Sequence, residues 1–492
     1  MRVLAPVVVL LATAFAWTAM ATPTLADENY PTIDGQFSGT GPVVGGTSVN
    51  LQVTGRGGVP ATGVGAVAIN VAVTNPTTSS FLTVYPAGAS RPTAANLNFT
   101  AGQTVPNLVV VKVGDNGQIS MFNYAGTVDV VVDVQGWFPT GEAFTGLNPA
   151  RLLDTRPGYP TIDGEFAGVG PVSTILDLKV TGRGGVPAGG VGAVVLNVAV
   201  ANPTAASFLT VFPTGSIRPT AANLNFVPGQ VVPNLVVVKV GESGFVSLYN
   251  YAGRTDVVVD VLGWFPSAGS FAGVVPARLM DTRAGYPTID AAFAGEGAVG
   301  PSTTRNLTVV GRTGIPADAA AVALNVAVTN PSASSFLTVW PAGEPRPTAA
   351  NLNFTRGQTV PNMVIVKVGA GGQISLFNLF GTVDVVVDVL GWFPANGSFN
   401  GLTPARLMDS RRTPITPPPT TLTTLPPPAT TTAPLPTTTT TTPPPTGNVT
   451  PGAFCSPVGA TGTYNGTTYV CSTTNQQGVP YQPPGTARWR QA

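Results

Sequence analysis

Histidine is absent from the 492 residues of this chain, and only 9% of them are charged. The first absence removes the commonest general base and metal ligand, and with it any Ser/His or Cys/His nucleophile. Two cysteines without histidine make a poor metal site. Lys and Arg total 23 against 22 Asp and Glu, so nothing marks a nucleic-acid partner or an anionic membrane surface. Beyond the N-terminus no segment reaches the roughly 18 unbroken apolar residues of a membrane-spanning helix. A binding or structural role is therefore better supported than catalysis, and no catalytic residue or required cofactor is predicted.

The chain begins "MRVLAPVVVLLATAFAWTAMATPTLADENYP", in which Arg2 precedes an apolar stretch and small residues follow at Ala19, Ala21 and Ala26. This reads as a secretory signal peptide over 1–26, cleaved after Ala21 or Ala26. The mature protein is expected outside the cell, associated with the cell wall, with no membrane span after cleavage.

Internal repetition dominates the rest. "GWFP" carries Trp137, Trp264 and Trp392 at separations of 127 and 128, and "YPTID" opens each copy at 30, 159 and 286. Short Val-rich runs bounded by Gly, Pro and Asn predict about seven strands per copy. The expected fold class is all-β: three tandem antiparallel β-sandwich or barrel repeats at 27–158, 159–285 and 286–412. In "AVAINVAV" the residues Val67, Ile69, Val71 and Val73 alternate with Ala66, Ala68, Asn70 and Ala72, a small-residue face suited to close packing. Asn70, Asn197 and Asn325 then need hydrogen-bond partners in a core. "RLLDTR" at 151, "RLMDTR" at 278 and "RLMDSR" at 406 follow the copies. Either each completes its own unit, or each opens the next and the last closes a ring. Local completion, giving beads, is the favoured reading.

"TVDVVVDV" at 127 returns at 254 as "RTDVVVDV" and at 382 unchanged. On a strand Asp129 and Asp133 share a face with Cα atoms roughly 13 Å apart. Paired glycosidase carboxyls stand about 5–9.5 Å apart, so a catalytic couple is disfavoured, and one shared calcium would need a sharp bend. Structural ion pairs are expected instead. The candidates are Asp129, Asp133, Arg151, Asp154 and Arg156, then Asp256, Asp260, Arg278, Asp281 and Arg283, then Asp384, Asp388, Arg406, Asp409 and Arg411. Lys112 is a further candidate partner, and calcium at a loop aspartate such as Asp34 stays open.

A sugar site could use an arginine, two asparagines and an aromatic platform. "RPTAANLNF" supplies Arg91, Asn96 and Asn98 near Tyr85; Arg218, Asn223 and Asn225 near Phe212; and Arg346, Asn351 and Asn353 near Trp340. Trp137 reads as a packing plug.

From 413 to 450 the chain is a Pro/Thr-rich linker, expected to be disordered, extended and a semi-rigid spacer. Residues 451–492 form a small module with Cys455 and Cys471, read as a disulfide in an exported chain. Tyr469, Trp489 and Arg490 could form a contact surface there.

"RLLDTRPG", "AVVLNVAVANPTAASFLTVFPTG", "PNLVVVKVG" and "VVVDVLGWF" resemble the secreted repeat modules of actinobacterial cell-surface proteins, and the last module is similar to small C-terminal modules of such exported proteins. The resemblance implies a location rather than an activity, and no catalytic residues. The functional expectation is a non-catalytic surface protein whose repeats bind cell-wall or extracellular polysaccharide, or a surface protein, by avidity. The alternatives are a structural spacer or self-assembling surface-layer scaffold and, less favoured, a glycan-active hydrolase.

Overall fold

The structure is a computed structural model that describes residues 31–141, 143–395, 398–412, 461–464, 467–473 and 488–491. The expected signal peptide, the Pro/Thr linker and Cys455 lie outside the described residues. The all-β class is what the chain adopts: apart from three one-turn 3-10 segments, every regular element described is a strand, in small antiparallel sheets.

Each unit builds a four-stranded short sheet and three strands of a long sheet whose further strand comes from another unit; in the first unit the two-residue strand Val43–Val44 adds a fifth. In the first unit the long-stranded sheet runs Val105–Lys112, Val64–Thr74, Thr127–Pro139. The short-stranded sheet runs Leu97–Phe99, Ser80–Pro86, Gln118–Asn123, Thr47–Gln52. Side-chain alternation gives the strand Val64–Thr74 two different jobs. Val67, Ile69, Val71 and Val73 bury against Leu82, Val84, Ile119 and Met121 of the short sheet, each such side chain contributing about 1.5–3 kcal/mol. Ala66 and Ala68 face the other way, into a core shared by all three units.

The fourth strand of each long sheet corrects the expectation of tandem, locally completed beads. Thr145–Asp154, at the end of the first unit, pairs with Asp256–Pro266 of the second. Ala272–Asp281 likewise pairs with Asp384–Pro394 of the third, and Asn400–Asp409 returns to Thr127–Pro139 of the first. The six sheets thus close into a six-bladed propeller rather than three tandem sandwiches. Closure covers strand edges that separate beads would leave exposed.

Residues 417–492 form a separate unit. Its described part is a three-stranded sheet of Thr461–Tyr464, Thr467–Ser472 and Arg488–Gln491. Cys471 is buried there. Arg490 pairs with Val470, next to Tyr469, so strand alternation sets Arg490 and Tyr469 on opposite faces rather than on one contact surface. No helix among the described residues is long and apolar enough to cross a membrane.

Candidate functional site

The repeated aspartates have different partners. Asp133, Asp260 and Asp388 are at most 2% exposed. They accept hydrogen bonds from Arg406, Arg151 and Arg278, each with Nε at 2.9 Å and each carried by the preceding unit around the ring. The same arginines hold Asp409, Asp154 and Asp281 on their own strands. Arg411, Arg156 and Arg283 reach those three carboxylates from the other side. Desolvation alone would lower the Arg151 pKa, but the charges of Asp260 and Asp154 reverse that and raise it; Arg278 and Arg406 are raised in the same way. Each arginine also donates to a carbonyl of the loop that leads into its own unit's three-residue strand, at Thr348, Thr93 and Thr220. One guanidinium therefore fastens three pieces of backbone at every long-sheet seam.

Asp129, Asp256 and Asp384 differ from the expected ion pairs. They accept from the hydroxyls of Ser410, Thr155 and Thr282, and from the amides of Asn75, Asn202 and Asn330. Those asparagines sit at φ of 50–52°, the left-handed turn region that Asn tolerates best after Gly. Among the described residues neither Lys112 nor any arginine forms an ion pair with these three carboxylates. Asp34, considered for calcium, is held instead by Arg56 Nε at 2.6 Å and Nη2 at 2.7 Å. Those hydrogen bonds keep its pKa below the ordinary 3.8.

Along the pseudo-threefold axis the three inner strands Val105–Lys112, Val232–Lys239 and Val360–Lys367 change character from one end to the other. Midway lies a ring of amides. Asn107 donates to Asn197 of the next unit, Asn234 to Asn325, and Asn362 to Asn70. Each also accepts from a backbone N–H of a neighbouring unit, at Leu235, Met363 and Leu108 respectively. At the lysine end Phe138, Phe265 and Phe393 meet with centroids 5.7–5.9 Å apart, interleaved with Phe144, Phe271 and Phe399. The phenylalanine of "GWF" is thus the plug, and the tryptophan is only half-buried beside it. A Cβ on Gly136, Gly263 or Gly391 would collide with the ring of Phe399, Phe144 or Phe271, which accounts for the glycine in that motif.

The opposite end is open. A bowl of about 610 Å3 is lined by Asn98, Asn225 and Asn353, by Gln103, Gln230 and Gln358, and on one side by Phe81 and Tyr124. The three asparagine amides are half-buried and make no hydrogen bond within the described protein, whereas Asn70, Asn96, Asn107 and Asn123 all do. Each glutamine uses Oε1 to close its own turn, as in Thr100 N to Gln103, Val227 N to Gln230 and Thr355 N to Gln358. Its Nε2 donors have no partner among the described residues. Tyr124 is 60% exposed and stacks on Phe81 at 4.9 Å; Tyr251, 62% exposed, stacks on Phe208 at the same distance. In the third unit Leu379 takes the tyrosine position and the exposed Phe380 follows it.

The predicted sugar-binding sets do not assemble as read. Asn96, Asn223 and Asn351 precede the strands Leu97–Phe99, Leu224–Phe226 and Leu352–Phe354; their side chains turn inward and cap the N–H groups of Val84, Val211 and Val339. Tyr85, Phe212 and Trp340 are at most 7% exposed and offer no platform. Arg91, Arg218 and Arg346 lie flat over Phe122, Tyr249 and Phe377 at 3.8–4.0 Å. Only Asn98, Asn225 and Asn353 reach the bowl. Tyr124 and Tyr251 were legible only as aromatic residues inside the turn "NYAG", where a buried aromatic is unexpected.

No protein-family pattern matches the chain, and no curated protein does. Among solved structures, the triple jelly roll protein of an archaeal virus turret is 9% identical, covers 73% of this chain and 85% of that one, and has a TM-score of 0.19. A Sulfolobus turreted icosahedral virus protein is 11% identical over 74% and 86%, with a TM-score of 0.19. A cycloalternan-forming enzyme from Listeria monocytogenes is 10% identical; the match covers 65% of this chain but 29% of the enzyme, with a TM-score of 0.15. Likeness at that level carries no functional argument.

Proposed function

We propose that the chain is an exported, non-catalytic surface protein of the kind its repeats resemble, and that it binds neutral polysaccharide at the open end of the propeller axis. The observation that carries this reading is the set of three unpartnered asparagine amides in one bowl, beside the free donors of three glutamines and exposed aromatic rings. Amides satisfy sugar hydroxyls and aromatic faces accept sugar C–H surfaces. Charge supports a neutral rather than an anionic ligand: among the described residues no lysine or arginine lines the bowl. Against a hydrolase stands the use of the buried carboxylates, since Asp133, Asp154, Asp260, Asp281, Asp388 and Asp409 all hold arginines. The scaffold alternative is weakened because the surfaces by which repeats would join one another are already used within one chain.

The test is cosedimentation of the full chain with isolated cell walls and insoluble neutral polysaccharides. Saturable binding lost in the Asn98→Ala, Asn225→Ala, Asn353→Ala triple variant supports the reading. Binding that the triple variant retains in full, or no binding at all, overturns it.

A further inference from the structure

The bowl does not end at its rim. A groove of about 440 Å3 runs along the seam between the short sheet of the second unit and the long sheet of the third, and it shares Asn225 and Thr359 with the bowl. Its walls carry Phe208 and Tyr286, and its floor is formed partly by Ala222, Ala327 and Val386. Small residues there leave room at the bottom of the seam. Tyr286 is 48% exposed and braced by Arg283, whose guanidinium lies 3.8 Å from the ring centre while its Nη2 holds Asp281 at 2.7 Å. Arg278 in the groove is matched by Asp388 and Asp281. The charges are thus neutralised locally, and what the groove offers a ligand is aromatic surface, not a field.

The seam between the first and second units repeats the main parts. Arg156 lies 4.0 Å from the Tyr159 ring centre and holds Asp154, and Tyr159 is 49% exposed. A closed pocket for a chain end would not continue into such seams.

Resting on the polysaccharide reading above, we infer that the ligand is bound as an extended chain segment, which passes from the bowl into a seam groove and lies against the braced tyrosine there. The protein then recognises the interior of a linear neutral polymer rather than its terminus. Binding strength rises with ligand length until the segment fills bowl and groove together, because each aromatic contact adds surface that a short oligomer cannot reach.

The test is calorimetric titration of the full chain with soluble linear oligomers of glucose, mannose and N-acetylglucosamine, two to eight units long, and with the Tyr159→Ala, Tyr286→Ala double variant. Both tyrosines are half exposed, so their removal leaves the core intact. The expected result is affinity that climbs at least tenfold from the shortest binding oligomer to the longest. The double variant should lose most of that climb while binding the shortest oligomer as the unaltered chain does. Affinity independent of length, or an equal loss at every length in the variant, overturns the groove but leaves the bowl reading standing. Absence of binding by every oligomer and by insoluble polysaccharide overturns both.

Discussion

The two ends of the propeller axis are built from the same three inner strands, yet one is sealed and the other open. At the sealed end six phenylalanines fill the space completely enough that a glycine is required at 136, 263 and 391. At the open end the corresponding space is walled by Asn98, Gln103 and their counterparts, whose donors find no partner among the described residues. Threefold repetition makes both possible: any side chain placed on the axis appears three times, so an apolar residue becomes a plug and a polar one a ring of donors. The amide ring of Asn107, Asn234 and Asn362 marks the boundary, its members bonded across unit boundaries.

The contrast exists only if the ring is closed, so the largest effect should come from opening it. Arg406→Ala leaves Asp133 buried without its cation and should cost about 3–5 kcal/mol by chemical denaturation, with Asp133→Ala nearly as damaging. At the sealed end, Phe138→Ala should cost a comparable 3–5 kcal/mol as a core cavity without removing any contact the bowl makes. Gln135 sharpens the picture with the opposite sign. It is 2% exposed, neither polar atom of its side chain has a partner among the described residues, and Leu262 and Leu390 occupy the equivalent sites in the apolar cluster. Gln135→Leu should therefore stabilise the ring by about 1–3 kcal/mol, read as a raised denaturation midpoint.

A smaller effect is expected from acid. Hydrogen bonds from Arg56, Arg183 and Arg312 hold Asp34, Asp163 and Asp290 below the ordinary 3.8. A carboxyl depressed in the folded state contributes its full stability above that ordinary value and loses it as pH falls through the folded pKa. Their joint contribution to the denaturation midpoint should hold from neutrality to about pH 4 and decline below it, and Asn at all three positions should remove that part of the acid loss. The smallest stability change belongs to the open end, where Asn98→Ala should stay within about 0.5 kcal/mol while weakening polysaccharide binding.

Much of this was legible in the residues. Strand alternation in "AVAINVAV" separates the face that meets the short sheet from the one that meets the axis. The spacing of Asp129 and Asp133 implies separate partners, and they have them. What strand periodicity could not reveal was which unit supplies each partner. "RLLDTR" stands between units, and the chain leading into it constrains it no more than the chain leading away. Asn96 and Asn98 are two residues apart and look alike on a strand, but the strand begins at Leu97, so Asn96 belongs to the preceding turn and caps Val84. Tyr85 looks like a platform because it lies close in sequence to "RPTAANLNF". Burial and a hydrogen bond to Ser48 take its ring out of reach of a ligand.

The central claim is that the open end of the axis is where ligand binds. Hydrogen exchange of the full chain, with and without saturating neutral oligosaccharide, tests it most directly. The account predicts slowed exchange in the three segments 98–104, 225–231 and 353–359 and no change around Phe138, Phe265 and Phe393. Protection confined to the sealed end or to the outer strands, with those three segments unchanged, would contradict it.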